Sequence, residues 1–221
     1  MIAKAYSATL LGIEALPVVV EVDFVIAGTE DRFSMVGLPD KAVQESQVRT
    51  RSAIRNAQLA YPNMKVICNL APGDIRKEGP FLDLPIAAAI LARDGQVPAG
   101  ELEGTLIIGE LGLDGDLRPV DGAVSVALMA HEKGFRRLIL PIQNAAEAAV
   151  APGLEVYGLR NLLELVELLN GSLMIQPFQH VDAPQSAVFD YGIDYADVKG
   201  QRHAVRALEI AAAGGHNVLM T

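Results

Sequence analysis

Few side chains in this 221-residue sequence have the type and spacing for covalent chemistry. The single cysteine, Cys68, lies in the apolar stretch KVICNLAP. No disulfide can form within the chain, and that setting suits a buried, inert thiol rather than a nucleophile. The four histidines, His131, His180, His203 and His216, are scattered without ligand spacing, so no metal site is read. Asp114 and Asp116 flank Gly115, and an Asp-Gly pair supplies the positive φ angles of a tight turn, which makes them turn residues before an acid–base pair. The remaining candidates are cationic. In PDKAVQESQVRTRSAIRNAQ, Arg51 and Arg55 share one helical face, while Val43, Thr50, Ile54 and Ala57 share another. Glu45 is placed to pair with Arg49 on the solvent side. Arg76 and Lys77 stand beside Glu78 in the polar loop GDIRKEGP. Each set reads either as a solvated or structural feature or as a phosphate-contacting patch. No aromatic interleaving marks a single-strand stacking platform.

Composition bounds what such residues could do. Hydrophobic residues make up 51 % of the chain, enough to fill a core. No apolar run reaches the about 18–20 residues of a membrane span, and the first residues lack the apolar stretch and cleavage site of a secretory signal, so the expected compartment is cytoplasmic. A formal net charge of −9 argues against gripping a nucleic-acid backbone by bulk electrostatics. Any DNA contact must be local or shared between subunits.

The elements that must position these residues alternate in type. Strands are predicted over 18–26 and 33–38, and Pro39-Asp40 opens a helix to about Leu59. MKVICNLAP reads as a strand ending at Pro72, 84–92 as an alanine-rich helix, and TLIIGELGLDGDLRPV as a hairpin turning at Asp114-Gly115. A helix over 123–133, a strand in RRLILP, a strand in LEVYGL and a helix in NLLELVELLN follow. This alternation predicts a layered α/β or α+β domain over residues 1–169. A linker with anchoring contacts is expected over 170–190 and a separate unit over 191–221. In that unit Ala204, Leu208 and Ala211 or Ala212 share one helical face and Arg202 and Arg206 another, and Asn217 to Met220 read as a short buried strand.

Four stretches, VGLPDKAVQES, NLAPGDIRKEGPFLDLPIAAAIL, GELGLDGDLRPVDGA and DVKGQRHAVRALEIAAAGGHNVLM, occur in an order that resembles the ComM/YifB-type, Mg-chelatase-like AAA+ proteins. The resemblance covers essentially the whole chain. It implies that residues 1–169 form a Lon-protease-like domain, similar also to the matching domain of RadA and to ribosomal protein S5 domain 2, followed by the start of an AAA+ P-loop module. In that family a phosphate loop of the form G-x-P-G-x-G-K-[ST] follows, so Thr221 is expected to lie just before it. The DVKGQ stretch would line an adenine pocket, making Val198, Lys199 and Gly200 candidate nucleotide contacts; a plain helix-entry turn is the other reading. ATP and Mg2+ are expected for the full-length protein and none for these residues alone. In Lon-type proteases a lysine activates a serine. Phe81 stands at the serine position and Val124 at the lysine position, so the resemblance implies no peptidase activity and no catalytic residue in the chain. The implied function is a hexameric helicase promoting branch migration of DNA during natural transformation, with Arg51, Arg55, Arg76 and Lys77 as candidate DNA contacts. A metal-insertion ATPase acting on a tetrapyrrole enzyme and a purely structural oligomerisation module are the alternatives.

Overall fold

Alternation of small residues opens the chain: Ala3, Ala5, Ser7 and Thr9 are buried on one face of β1 (Ala3–Leu11), with Tyr6, Ala8 and Leu10 on the other. The sequence reading missed this strand, because alanine and serine carry no β-branched signal; its partner supplies the driving force instead. That partner, β2 (Glu14–Val25), runs antiparallel to it from Ala3 opposite Val22 to Leu11 opposite Glu14. The computed structural model describes residues 2–26, 33–179 and 195–220. Its contacts divide the chain into two units, 1–180 and 181–221.

In the first unit β3 (Phe33–Val36) lies parallel to β4 (Lys65–Ala71), which pairs antiparallel with β2. Between them runs α1 (Lys41–Asn56), capped by Asp40, whose carboxylate accepts the Val43 N–H at 2.7 Å. After α2 (Asp83–Asp94), β5 (Thr105–Ile107) joins β1 in parallel. Thus Thr105 to Ile107 belong to the main sheet, not to the hairpin expected from the sequence. The hairpin itself is small: β6 (Glu110–Leu111) and β7 (Leu117–Arg118), closed by a turn in which Gly115 takes φ 95° and Asp114 accepts the Asp116 N–H. Helix α3 (Ala123–Glu132) leads to β8 (Arg137–Pro141), and α4 (Ile142–Ala148), which the sequence reading did not separate, leads to β9 (Glu155–Leu159) and α5 (Leu162–Leu169).

The main sheet has the order β3-β4-β2-β1-β5-β8-β9 and is mixed but mostly parallel. Helices α1, α2 and α5 pack on one face over a core including Val20, Leu70, Ile86 and Leu165. Helices α3 and α4 cover the other around Leu106, Val126 and Leu140. Residues 84–91 of α2 are all buried, so its apolar character runs all round. Past α5, Ile175 packs on the first core and the Phe178 N–H donates to the Val156 carbonyl at 2.8 Å.

The second unit, taken alone, has a 3-10 turn (Tyr195–Asp197) and α6 (Arg202–Gly214), closed by Gly215 at φ 63°. The buried strand expected at 217–220 is absent: these residues take no regular structure, and Val218, Leu219 and Met220 are exposed. A strand needs a hydrogen-bonded neighbour, and the described residues offer it none. No described helix is long and apolar enough to cross a membrane.

Candidate functional sites

Phe81 and Val124 are the residues expected at the serine and lysine positions of a Lon-type dyad. Phe81 is buried against the α3 side of the core with Ala8, Val120 and Ala123, whereas Val124 is partly exposed in the first turn of α3. An aromatic ring and an isopropyl group can neither attack a carbonyl nor carry a proton. Two residues on, Asp83 makes the densest polar cluster of the unit. Its buried carboxylate accepts from the Ser46 hydroxyl, from Arg49 Nε at 2.6 Å and Nη2 at 3.0 Å, and from the Leu111 N–H at 3.1 Å. Burial pushes the Asp83 carboxyl above its ordinary value, opposed by Arg49, Ser46 and the Leu111 amide. The cluster fastens α1 to the start of α2 and to β6. It also corrects the expected solvent-side pairing of Arg49: the guanidinium is mostly buried on Asp83, with Glu45 a looser partner at 3.7 Å. Sequence reasoning missed Asp83. Its available signal was a lone carboxylate within FLDLPIAAAI, where an unpaired charge would be costly.

The four candidate cations occupy three different settings. Arg51 and Arg55 bring their guanidinium carbons to 5.8 and 5.7 Å from the centre of the Tyr61 ring. Neither arginine has a carboxylate partner among the described residues, and the buried Arg51 Nε has no acceptor. Burial raises the Tyr61 hydroxyl above its ordinary value while the two arginines oppose it. Arg76 is exposed and pairs with Glu78 at 3.3 Å, an arrangement worth little in water. Lys77, expected as a DNA contact, is instead fully buried, and its Nζ donates to the Pro72 carbonyl, a setting that turns the ammonium inward. Its backbone N–H donates to the Leu38 carbonyl at 3.1 Å, and its carbonyl accepts the Asp40 N–H at 3.0 Å. Lys77 therefore stitches the 72–79 loop to the start of α1. Burial lowers its ammonium pKa, with Asp74 opposing.

In the second unit Val198 and Gly200 line a concavity of about 300 Å3 together with Tyr195, Arg202, Val205 and Glu209. Lys199 is not among its lining residues. The Val198 N–H donates to the Tyr195 carbonyl at 3.2 Å, and Gly200 and Gln201 take φ 77° and 47°, so the chain turns sharply into α6. Among the described residues no group of three or more His, Cys, Asp or Glu could hold a metal ion.

Comparison with known proteins places these features in a family. The family model described as Subunit ChlI of Mg-chelatase matches residues 20–144, and that described as Magnesium chelatase, subunit ChlI, matches residues 194–221. The chain is similar to Competence protein ComM of Haemophilus influenzae, with 42 % identity over 99 % of this chain and 43 % of that protein. It is similar to Uncharacterized protein YifB of Escherichia coli, with 40 % identity over 95 % of this chain and 40 % of that one. A more distant likeness links it to DNA repair protein RadA of Halalkalibacterium halodurans, 26 % identical over 70 % of this chain and 33 % of RadA. The chain spans less than half the length of ComM and YifB. With one family model covering more than half of its residues and the other its last 28, the chain belongs to the Mg-chelatase ChlI family, as a ComM/YifB-type member.

Proposed function

We propose that the full-length protein is a ring-forming, cytoplasmic AAA+ ATPase that acts on DNA, driving branch migration during recombination of incoming DNA. Residues 1–169 serve as a Lon-like domain without peptidase chemistry, 170–190 as a linker and 191–221 as the start of the ATPase module. The observation that carries this reading is the Arg51–Arg55 pair. Two guanidiniums rest on one tyrosine ring without a carboxylate partner among the described residues, in a chain of net charge −9 where carboxylates are abundant. Such a pair is ready for phosphate oxygens. Repeated around a hexameric ring, it turns a weak local contact into a charged annulus. The likeness to the competence protein ComM and to the DNA repair protein RadA supports the same direction.

ATP and Mg2+ are the cofactors of this reading. Val198 and Gly200 would meet the adenine from the concavity beside α6, and Lys199 would flank it from outside the lining. The phosphates would be held by residues beyond this chain. A second reading, metal insertion into a tetrapyrrole, is favoured by the description of the family models. A four-way DNA junction incubated with the full-length protein and ATP separates the two. Resolution into two duplexes that requires ATP hydrolysis is the expected result; an active ATPase that leaves the junction untouched would point to the second reading.

A further inference from the structure

Two exposed apolar features of the first unit have no partner in the contacts described above. One is the tip between β3 and α1. Val36 and Leu38 there are 50 % and 54 % exposed, and Leu38 sits at φ 55°, a left-handed conformation that disfavours an aliphatic side chain. Such a conformation persists only where its surroundings enforce it. Here Lys77 holds the Leu38 carbonyl and the Asp40 N–H, and Gly37 presses so close to the strand that a Cβ would stand 2.1 Å from the Leu70 carbonyl oxygen. The backbone is thus clamped on both sides, and an aliphatic side chain is held out in water on a rigid base.

The other feature is a concavity of about 470 Å3 between the β1–β2 turn and α3, lined by Ile13, Leu16, Pro17, Leu128 and Met129. Ile13 at its lip is 88 % exposed and Leu128 is 44 % exposed. Charge distinguishes the two features. Glu14 and Glu132 line the concavity, and neither has a cation within salt-bridge distance among the described residues; Lys133, also at the rim, leaves one net negative charge. Beside the tip Lys41 has no carboxylate partner among the described residues, while Asp40 directs its oxygens to the Val43 and Gly79 amides and Arg76 is matched by Glu78.

We propose that the Leu38 tip of one copy seats in the Ile13–Leu128 concavity of a second copy, with Lys41 facing Glu14 and Glu132. The contact is head-to-tail, each tip entering the concavity of the next copy; a reciprocal two-fold pairing of the same two surfaces would instead stop at covalent dimers. Every copy offers one tip and one concavity, and repetition generates a closed ring when the rotation permits it. The aliphatic tip fills an apolar hole, and its rigid base means that little freedom is lost on docking. This contact rests on the homo-oligomer reading and states where neighbouring copies of the first unit touch.

Paired cysteines in the full-length protein test it, with any cysteines outside this chain replaced; Cys68 is buried and stays silent. Leu38→Cys and Leu128→Cys are combined in one chain, and Leu38→Cys with Ile13→Cys forms a second pair that guards against poor disulfide geometry. Mild oxidation is expected to give a ladder of covalent multimers for at least one pair. Leu38→Cys protein co-assembled with Leu128→Cys or Ile13→Cys protein is expected to stop at covalent dimers, since each copy then carries half of one linkage. Leu38→Gly, which suits the left-handed backbone, is expected to keep or raise the Tm while weakening assembly at least tenfold by sedimentation. A parent that assembles while neither pair crosslinks above the single variants overturns the contact and leaves the ring reading standing. So does Leu38→Gly assembling like the parent. A parent that stays monomeric with ATP and DNA present removes the ring reading and the contact together.

Discussion

At Asp83, the first residue of α2, a single carboxylate gathers Ser46 and Arg49 from α1 and the Leu111 amide from β6. Removing it leaves a mostly buried arginine uncompensated, and breaking such a pair costs about 3–5 kcal/mol. We expect Asp83→Ala to lower the unfolding free energy by that amount in urea titrations; a change below about 1 kcal/mol would show that the cluster is not structural in the way its geometry implies. Lys77 gives a pH signature. Burial holds its folded pKa below the ordinary 10.5, so between the two values the unfolded chain binds more protons and stability rises with pH. The parent should therefore gain stability relative to Lys77→Met as pH climbs toward 10.5, and Lys77→Met should bind DNA like the parent; a parallel pH response of the two proteins argues against a strained buried ammonium. The Cys68 thiol, pushed up to about 12 by burial, should be alkylated at pH 8 only as fast as the chain unfolds, and rapid labelling of native protein would contradict its enclosure. The inert cysteine was legible from its apolar neighbours. The burial of Lys77 was not, because nothing in GDIRKEGP distinguishes the lysine that faces Pro72 from the arginine beside it that faces water. Arg51 and Arg55 could be paired from their spacing of four, but Tyr61, the ring beneath them, lies past the helix end and enters only through tertiary packing.

Among the elements, β4 and α1 could be read closely because a β-branched alternation and an Asp cap announce them. β1 could not, since its inward residues are small and its stability comes from nine paired positions with β2. β5 reads as part of a hairpin for a related reason: TLII and GEL are contiguous, and only the three-dimensional sheet separates a three-residue parallel strand from the hairpin of two two-residue strands that follows. The join between β3 and α1 has the sharpest sequence requirement. Gly37 takes φ 101° and has no space for a Cβ against Leu70. Gly37→Ala must strain its backbone or shift β3 from β4, and we expect a loss of about 1–3 kcal/mol in denaturant unfolding. An unchanged midpoint would mean that the β3 edge moves freely.

For the molecule as a whole, a mixed sheet between two helical layers provides the platform, and the family assignment supplies the context for its arginine pair and for the groove beside α6. The order of four motifs carried that assignment, whereas no single element did. If the pair meets phosphates in the assembled ring, the double variant Arg51→Glu, Arg55→Glu should flatten the log-affinity against log-salt slope for duplex DNA by about 2 or more, with assembly and basal ATP hydrolysis retained. An unchanged slope would assign both arginines to a solvated face, and loss of assembly would assign them to a subunit contact. The most direct measurement is the steady-state ATP hydrolysis rate of the full-length protein with and without DNA. A DNA-acting ring ATPase should hydrolyse ATP several-fold faster when DNA is added, with the stimulation lost in the double arginine variant; a competent ATPase whose rate is indifferent to DNA would contradict the proposed function.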